Sequence, residues 1–368
     1  MKNRILRNID WGILICSICL LAIGMIALFS ATNNDGGDEL SKQILWACAS
    51  IPVLIIFVAV DYKLIAKASP VFYVIFIGLL IAVLFTRAVN GATSWFEINS
   101  TLKFQPGEFA KVFVIITLAE VIAILQKKGK REINKPHKLL VALLVVAIPV
   151  ALIIKQPDLG TAMAFLVATI FVLFVAGINK KYIFAAILIC AITAPILYTH
   201  LPDHAKTRID VFLNPEIDPR GSGYNVIQSK LAIGSGEFWG MGILKGNQTQ
   251  LGYLYPKTTD FIFSVIGEEM GFVVAGAVII IYVFLITKSI YVAKTAKDDL
   301  GSYIAIGICG IFFFHMVENI GMTMGLLPIT GVPLPFVSYG GSSLITNFIC
   351  IGLLLNISGR RKKAIFVE

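Results

Sequence analysis

The sequence predicts an all-α polytopic membrane protein with about ten transmembrane helices and one long extracellular loop. Apolar residues, counted with Tyr and Cys, make up 57% of the 368-residue chain, and charged residues make up only 14%. Soluble domains average about 45–50% apolar and about 25% charged residues, so a soluble protein is excluded. The apolar residues also form long runs, and a bilayer-spanning helix needs about 20 of them. All six cysteines lie inside these runs, which indicates packing rather than disulfides or a zinc site.

Ten apolar runs define the predicted spans in chain order. The final stretch, residues 319–359, carries no charge, and we divide it at residues 328–341 because Pro- and Gly-rich backbone interrupts a helix. The first run is too long for the apolar core of a signal peptide, so we expect it to be a span. The predicted spans are residues 11–31, 43–60, 70–86, 109–125, 139–154, 161–178, 182–199, 261–286, 300–327 and 342–357.

The distribution of Lys and Arg predicts the orientation of these spans. Cytoplasmic loops of membrane proteins carry an excess of basic residues. With both termini in the cytoplasm, the inner segments hold 20 basic and 6 acidic residues, and the rest of the chain holds the other 11 basic residues. The net charge of +9 therefore indicates topology rather than binding to nucleic acid. The inner segments are residues 1–10, 61–69, 127–138, 179–181, 287–299 and 358–368.

The chain is predicted to form a single integral membrane domain, residues 1–368, with a large extracellular loop at residues 200–260, between the seventh and eighth spans. A loop this long without a helical pattern is usually functional or disordered. This one is rich in Gly, Tyr and Trp rather than in Ser, Glu and Lys, so order is favoured. Its glycines lack the spacing of a Walker loop or a dinucleotide fingerprint. The sequence has no evident inverted repeat, which argues against a common transporter architecture.

The first polar cluster stands at the predicted outer start of the fourth span. Pro106 and Gly107 suit the beginning of a helix. Glu108 and Lys111 are three residues apart, so their side chains share a helix face and can pair. The pair can fix the helix end as a salt bridge, line an outward-facing cavity with charge, or do both, and the sequence leaves these alternatives open.

The second cluster, residues 156–161, forms a tight outer turn between the fifth and sixth spans. Asp158 follows Pro157 and is close to Gly160, which is good turn chemistry. In this position Asp158 is predicted to cap the sixth span. A functional role for its carboxylate on the outer face is equally compatible with the pattern.

Asp260 stands where the long loop becomes the eighth span, directly after Thr258 and Thr259. An Asp at this position is an ideal helix N-cap. The alternative is a general base, and the two interpretations conflict over its pKa. A helix N-terminus lowers the pKa of a carboxylate, whereas burial in an apolar cavity raises it, and a strong base needs a pKa near the working pH.

Other ionisable residues lie inside the predicted spans. At about 100° per residue, Glu269 faces away from Asp260, and Glu268 lies about 80° from it. We therefore expect the Glu residues within spans to pair between helices, with proton relay as the alternative. The polar residues within spans are Glu120, Glu268, Glu269, Glu318, His315 and Asn319.

The predicted outer face and the absence of nucleotide-binding and hydrolase motifs limit the chemistry. Nucleotide-activated donors are not expected outside the cell, so an enzyme there needs a membrane-held substrate that carries its own activation. A lipid pyrophosphate meets both requirements. Its anionic leaving group would need Lys111, Arg208 or Lys257, or a divalent cation.

Taken in order, these clusters resemble the SEDS family, the RodA, FtsW and SpoVE proteins of bacterial shape, elongation, division and sporulation. The longest similar segment is residues 319–344, which read Asn-Ile-Gly-Met-Thr-Met-Gly-Leu-Leu-Pro-Ile-Thr-Gly-Val-Pro-Leu-Pro-Phe-Val-Ser-Tyr-Gly-Gly-Ser-Ser-Leu. The sequences that begin at Phe212 and Gly223 are most similar to the RodA branch. The other similar segments are residues 105–111, 156–162, 212–236 and 250–271.

The resemblance implies a peptidoglycan glycosyltransferase that polymerises lipid II, the undecaprenyl-pyrophosphate-linked disaccharide-pentapeptide, into glycan strands. It implies a place in the bacterial cell membrane, a role in cell shape and elongation, and a class B penicillin-binding protein as the crosslinking partner, beside other elongation or division machinery. No cofactor is certain, and a Mg²⁺ or Mn²⁺ ion is an open alternative. The alternative functions are a lipid II flippase and a non-catalytic scaffold of the wall-synthesis complex.

The resemblance also implies roles for individual residues. Asp260 matches the family's essential Asp, whose proposed role is to remove the proton from the 4-hydroxyl of the acceptor sugar. Glu108, Lys111 and Asp158 match polar residues that line the family's central cavity.

Three further residues of the long loop are candidates for binding substrate or lining that cavity. The family usually shows Leu-Pro-Glu-x-x-Thr-Asp-Phe before its eighth span. Here that Glu is absent and Lys257 adds a positive charge, so any role of the Glu is not carried over. The three candidates are Arg208, Lys257 and Thr259.

Overall fold

The computed structural model describes residues 8–33, 38–86, 93–97, 103–200, 203–219 and 221–361, and most of them are helical. The predicted all-α class is confirmed. Ten long helices within these residues correspond to the ten predicted spans, and a hairpin of β1 (Phe96–Glu97) and β2 (Lys103–Phe104) precedes the fourth. The long helices are α1 (Trp11–Thr32), α2 (Glu39–Ala59), α3 (Tyr62–Ala82), α4 (Pro106–Leu125), α5 (Pro136–Lys155), α6 (Leu159–Val175), α7 (Lys180–His200), α11 (Ile262–Thr295), α12 (Asp299–Thr323) and α13 (Gly341–Gly359).

The chain between α7 and α11 contains short helices, where the sequence predicted a loop without helical structure. They are α8 (Asp203–Leu213), α9 (Ser222–Ser235) and the single turn α10 (Asn247–Gln250). The prediction is wrong here because α9 packs against α11 through small and polar residues as well as apolar ones, so it carries no continuous apolar stripe. The buried residues of α9 are Gly223, Val226, Ser229 and Ala232.

Membrane-spanning helices make up most of the molecule. Seven of the described helices are long and apolar enough to cross a membrane, and α6 is apolar over a shorter length of 17 residues. Burial separates the centre from the periphery, since 89% of the most apolar stretch of α13 and 72% of that of α12 is buried, against 11% for α2. The side chains that α2 leaves exposed include Ile51, Ile55 and Ile56, which is typical of contact with lipid. The terminal residues 1–7 and 362–368, which carry part of the predicted inner charge, lie outside the described residues.

The third span begins earlier than predicted, at Tyr62, so that Pro70 lies inside α3. Proline lacks the N–H group that would bind the carbonyl four residues earlier, and this loss usually ends or kinks a helix. In α3 the carbonyl of Ala66 instead accepts a hydrogen bond from Ser69 Oγ at 2.7 Å. A hydroxyl next to the proline therefore satisfies the freed carbonyl, and the helix continues.

α11 is broken at Gly271, where φ is +73° and ψ is −175°. A break in a helix leaves backbone N–H and C=O groups that need other partners, because the hydrocarbon core of a bilayer holds no water to bind them. Residues 237–242 of the long loop supply these partners. Met241 and Gly242 donate to the carbonyls of Glu268 and Glu269 (2.9 and 3.0 Å), and the carbonyls of Glu237 and Phe238 accept from Phe272 and Val273 (2.9 and 3.3 Å).

The side chains of Glu268 and Glu269 bind the same loop further along. Glu268 accepts hydrogen bonds from the backbone N–H groups of Gln248 and Thr249 at 2.7 and 3.0 Å, and Glu269 accepts one from Gln250 Nε2 at 2.9 Å. Both carboxylates therefore hold α10. Neither carboxylate binds Asp260, as expected, but the partner of both is the single turn α10 of the long loop, so the predicted pairing between spans is not what these two residues form.

Candidate active site

Asp260 lies immediately outside α11 and does not cap it. Phe261 occupies the N-cap position, and no side-chain hydrogen bond closes the helix start. The capping interpretation is therefore wrong, because the helix begins one residue later than it requires. The Asp260 carboxylate instead accepts a hydrogen bond from the Thr259 side chain, and it lies against Gly331, where a Cβ would be 3.3 Å from Oδ2.

Burial raises the pKa of Asp260 above the ordinary value for an aspartate. The hydrogen bond from Thr259 and the positive charge of Arg208 act in the opposite direction without cancelling the effect. Arg208 is placed by its own contact, in which Nη1 donates to the carbonyl of Thr330 at 3.4 Å. Of the two opposing effects on the pKa of Asp260 that the sequence left open, burial is therefore the larger.

The connection between α12 and α13 lies beside this carboxylate, and we call residues 328–340 the bridging segment. The segment is fastened to the chain just before Asp260 by two hydrogen bonds. Irregular backbone at membrane depth needs such partners within the protein. Ser338 Oγ donates to the carbonyl of Thr259 (2.6 Å), and Tyr339 N donates to the carbonyl of Thr258 (2.9 Å).

Three side chains of α12 hold the bridging segment from the other side. His315, Glu318 and Asn319 are three and four residues apart, so they share one face of the helix. Asn319 Nδ2 also donates to the carbonyl of Asp260 at 2.9 Å, so α12 positions the segment and Asp260 together. In the segment, Thr330 Oγ1 donates to Glu318 Oε1 (2.8 Å), Val332 O accepts from Asn319 Nδ2 (2.9 Å), and Pro333 O lies 2.9 Å from His315 Nδ1.

Glu108 and Lys111 form the predicted ion pair near the start of α4. Glu108 Oε1 and Lys111 Nζ are 2.8 Å apart, and each side chain is only 3% exposed. Charges buried this deeply need further hydrogen bonds to offset the loss of water. Thr346 Oγ1 donates to Glu108 Oε2 at 3.4 Å, and Lys111 Nζ lies 2.8 Å from His315 Nε2. The salt-bridge interpretation is confirmed.

Asp158 caps α6, as predicted, since its Oδ1 accepts from the backbone N–H of Thr161 at 3.0 Å. Its Oδ2 accepts from Gln105 Nε2 at 3.2 Å, which ties the cap to the start of α4. Burial raises the pKa of Asp158, while the hydrogen bonds from Thr161 and the charge of Lys111 lower it. Asp158 therefore belongs to the same polar cluster as the Glu108–Lys111 pair.

The bridging segment lies between two polar clusters. Gly160, which follows the Asp158 cap, lies in close contact with the bridging segment. A Cβ on Gly160 would lie 2.6 Å from Val332 Cγ1 and 3.1 Å from Thr330 O. Gly331, between these two residues, faces the Asp260 carboxylate. The structure thus assembles the predicted site residues in two groups across the segment, Asp260 with Thr259 and Arg208, and Glu108 with Lys111 and Asp158.

Lys257 has a different position, where its side chain contacts α10, the turn that Glu268 holds. Its side chain is 7% exposed, and Nζ donates to the carbonyl of Thr249 at 3.2 Å. Thr249 Oγ1 in turn donates to Glu268 Oε2 at 2.6 Å. These contacts support the fold of the loop, and the role of Lys257 in binding substrate stays a prediction.

A divalent cation is the alternative cofactor that the sequence left open. Among the residues that the structure describes, no group of three or more His, Cys, Asp or Glu side chains is arranged to hold a metal ion. Mg²⁺ is commonly held by one or two carboxylates together with substrate phosphates. Such an ion would therefore depend on Asp260 or Asp158 and on oxygens of the substrate.

Sequence reasoning did not identify the bridging segment as part of the site. It gave no role to Thr330, Gly331 or Gln105, and it considered His315 and Asn319 only as pairing groups or a proton relay. A signal was present, because the segment is an uncharged, Pro- and Gly-rich connection between two apolar runs. Backbone of that kind must be satisfied by polar side chains of its neighbours, and these side chains then gather around it.

Known proteins place the chain in a family. A family model for FtsW, RodA and SpoVE, described as cell cycle protein, matches residues 10–363. The chain belongs to the FtsW/RodA/SpoVE family. Peptidoglycan glycosyltransferase MrdB of Escherichia coli (strain K12) is 35% identical over 359 residues, 96% of this chain and 95% of the relative. Peptidoglycan glycosyltransferase RodA of Treponema pallidum (strain Nichols) is 32% identical over 440 residues, 98% of this chain and all of the relative.

Other FtsW/RodA/SpoVE relatives include a sporulation protein and solved structures. Stage V sporulation protein E of Bacillus subtilis (strain 168) is 34% identical over 95% of this chain and 96% of the relative. A chain in a peptidoglycan synthase complex, described as coordinating polymerization and crosslinking, is 26% identical with a TM-score of 0.81, over 95% of this chain and 97% of that one. Rod shape determining protein RodA of Thermus thermophilus is 25% identical with a TM-score of 0.72, over 96% and 98%. The predicted resemblance and the polytopic membrane fold are confirmed.

Proposed function

We infer that this chain is a peptidoglycan glycosyltransferase of the cell membrane, which polymerises lipid II into glycan strands for cell-wall synthesis and cell shape. The family match extends over residues 10–363, and relatives at 32–35% identity carry the name peptidoglycan glycosyltransferase. The multi-pass helical fold suits a substrate that is held in the bilayer by its lipid.

The observation that best supports this function is the Asp260 carboxylate. It is not used to cap α11, it is partly exposed, and burial raises its pKa. A general base works best when its pKa lies near the working pH, because it must be ionised and still hold a proton well. Asp260 is therefore suited to take a proton from an acceptor hydroxyl.

In the proposed reaction, the 4-hydroxyl oxygen of the acceptor sugar attacks the anomeric carbon of the donor. The new carbon–oxygen bond forms as the bond between that carbon and the pyrophosphate oxygen breaks. Asp260 takes the hydroxyl proton, and the lipid pyrophosphate leaves with the electron pair. One lipid pyrophosphate is released for each bond formed, and no redox partner is needed.

We assign the other site residues to substrate binding on the two sides of the bridging segment. Arg208 lies close enough to lower the pKa of Asp260, so a phosphate bound to it would be near the base. Lys111 is held in place by Glu108, and its charge also acts on Asp158. Preorganised cations of this kind stabilise the charge that develops on a leaving group. Thr259 orients the base through its hydrogen bond.

We also propose that the site faces the outside of the cell and that both termini are cytoplasmic. The excess of Lys and Arg in the inner segments supports this orientation, and an even number of spans agrees with it. A class B penicillin-binding protein is the proposed partner, which the similarity to a chain of a peptidoglycan synthase complex supports. The region 200–260 is then an extracellular part of one membrane domain.

The test is polymerisation of purified lipid II by the purified protein, alone and with a class B penicillin-binding protein. Asp260→Asn keeps the size of the side chain but removes the base, so we expect the rate to fall about 100-fold or more. Glu216→Gln is the matched control, since Glu216 is an exposed carboxylate of the same loop, and it should polymerise normally. Thermal unfolding in detergent confirms that both variants are folded.

Each alternative function has its own outcome in this assay. If Asp260→Asn polymerises at the wild-type rate, Asp260 is not the base. A wild-type protein that moves lipid II across a liposome membrane without making polymer is a flippase. A wild-type protein that does neither, while still recruiting its partner, is a scaffold.

A further inference from the structure

His315 connects the two polar clusters through both of its ring nitrogens. Nε2 lies 2.8 Å from Lys111 Nζ, and Nδ1 lies 2.9 Å from the carbonyl of Pro333. A carbonyl can only accept, and a lysine ammonium can only donate. The imidazole must therefore be neutral, with its proton on Nδ1 and its lone pair on Nε2 turned to Lys111.

The two contacts belong to different parts of the site. Lys111 lies on α4 and forms the ion pair with Glu108, whereas Pro333 lies in the bridging segment. Two residues before Pro333, Gly331 is in contact with the Asp260 carboxylate. His315 on α12 thus spans from the polar cluster of Glu108, Lys111 and Asp158 to the backbone that packs against the candidate base.

Burial makes these contacts demanding. His315 is 2% exposed and Lys111 is 3% exposed, so water is not available to replace either bond. Removing one partner of a buried hydrogen bond leaves the other group unsatisfied, which costs more than the bond itself contributes. Without the imidazole, an N–H of Lys111 and the Pro333 carbonyl would each lose a hydrogen bond. We expect both groups to shift towards other hydrogen-bond partners.

We propose that His315 is a positioning residue, which holds Lys111 and the bridging segment in fixed register so that the two polar clusters act on one substrate. The inference rests on the proposed glycosyltransferase function and adds a requirement to it. In that reaction Asp260 and the cluster of Glu108, Lys111 and Asp158 must be aligned across the segment. A displacement of about 1 Å in such an arrangement can cost about 100-fold in rate.

The side chains that face His315 favour positioning over a proton relay. Its neighbours are an ion pair of Lys111 and Glu108 that carries no net charge, and a backbone carbonyl, which cannot take a proton. A relay needs groups that exchange protons on both sides of the ring. A glutamine, with one amide donor and one carbonyl acceptor, could therefore keep the function of His315, whereas it could not relay protons.

The test compares His315→Gln with His315→Leu. Glutamine can donate to Pro333 and accept from Lys111, whereas leucine can do neither. We expect His315→Leu to lower kcat for lipid II polymerisation about 100-fold with KM changed less than threefold, and His315→Gln to keep kcat within about tenfold of wild type. Thr169→Val is the matched control, since Thr169 is a buried polar residue of a neighbouring span whose hydroxyl donates to Phe165 O of its own helix, and it should retain full activity.

Hydrogen exchange of residues 328–340 provides a readout that does not depend on activity. His315→Leu should speed exchange in the bridging segment, while His315→Gln and Thr169→Val should not. If the wild type makes no polymer, the proposed function fails, and hydrogen exchange still decides the role of His315. Unchanged kcat and exchange in His315→Leu would overturn the inference, as would a loss in His315→Gln equal to that in His315→Leu.

Discussion

Asp260 lies one residue before the N-cap of α11, and this single step separates a structural aspartate from one that is available for chemistry. At the N-cap its oxygens would bind the helix N–H groups, and its pKa would be lowered. One position earlier, burial dominates and raises the pKa. The sequence could not decide between these outcomes, because both depend on where the helix begins to within one residue, which is the least certain part of any helix prediction.

The raised pKa of Asp260 predicts the pH dependence of the reaction. A general base must be deprotonated, so activity should be lost as the pH falls through its pKa, and this acid limb should lie above the value of about 4 for an ordinary aspartate. The charge of Arg208 lowers that pKa. We therefore expect Arg208→Gln to move the acid limb to higher pH, as measured from initial polymerisation rates across the pH range.

The position of the limb, rather than the rate itself, is the readout, because Arg208 is also a candidate for binding substrate. Lys245→Gln removes an exposed cation of the same loop and should leave the limb where it is in the wild type. A limb that moves to lower pH in Arg208→Gln would contradict the assignment of Asp260 as the base.

Local chemistry explains which residue contacts could be predicted. The Glu108–Lys111 pair and the Asp158 cap both follow from spacings of three residues, and both are present. His315 and Thr330 make their contacts over long sequence distances, to Lys111 and Arg208. No pattern in one sequence states which distant residues will meet, so these contacts needed the structure.

At the scale of the element, the break in α11 depends on close contact between two glycines. Gly271 has a φ of +73°, which residues with a Cβ rarely adopt, and a Cβ there would lie 2.3 Å from the backbone N of Gly240. Backbone atoms cannot move aside as the end of a flexible side chain can. The loop and the two halves of the helix therefore fit together only while both positions lack a side chain.

We expect Gly271→Ala to destabilise the protein strongly. The positive φ alone costs about 1–2 kcal/mol for a residue with a Cβ, and the backbone contact adds to it. The midpoint of thermal unfolding in detergent should fall. Gly276→Ala is the control in the same helix, because nothing lies within 4 Å of its added Cβ, and it should be neutral or stabilising by up to about 1 kcal/mol. Equal midpoints for the two variants would show that the break is not rigid.

The helices themselves were predictable because a membrane requires long apolar runs. All ten predicted spans correspond to helices in the described part of the chain, with ends that differ by a few residues in most cases. The larger errors have local causes, such as Ser69 replacing the hydrogen bond lost at Pro70. The sequence did not predict α9 or the break at Gly271. Both depend on contacts between the long loop and α11 rather than on a regular spacing of apolar residues.

At the scale of the whole molecule, the distribution of Lys and Arg predicts the orientation proposed above, and cysteine labelling tests it. Glu216→Cys, in the long loop, should react with a membrane-impermeant maleimide in intact spheroplasts. Lys294→Cys, in the last turn of α11, should react only after permeabilisation. Both residues are exposed, so accessibility to the reagent reports the side of the membrane. The opposite pattern would reverse the proposed topology, and the wild type serves as the background for its native cysteines.

Function could be predicted from the sequence further than the site geometry could. The family and the glycosyltransferase assignment followed from motifs spread along the chain, and the family model and the relatives agree with them. The sequence could not predict that one uncharged segment separates the two polar clusters. That arrangement arises from how α4, α6, α11 and α12 pack, and packing is a property of the assembled molecule.

The bridging segment is held largely through main-chain atoms. The carbonyls of Thr330, Val332 and Pro333 accept from Arg208, Asn319 and His315, so three of the contacts that hold the segment do not depend on its own side chains. An inhibitor that docks against this backbone would contact atoms that every amino acid carries. Drug resistance would then have to arise in the surrounding helices, at side chains that hold the segment, such as His315 and Asn319.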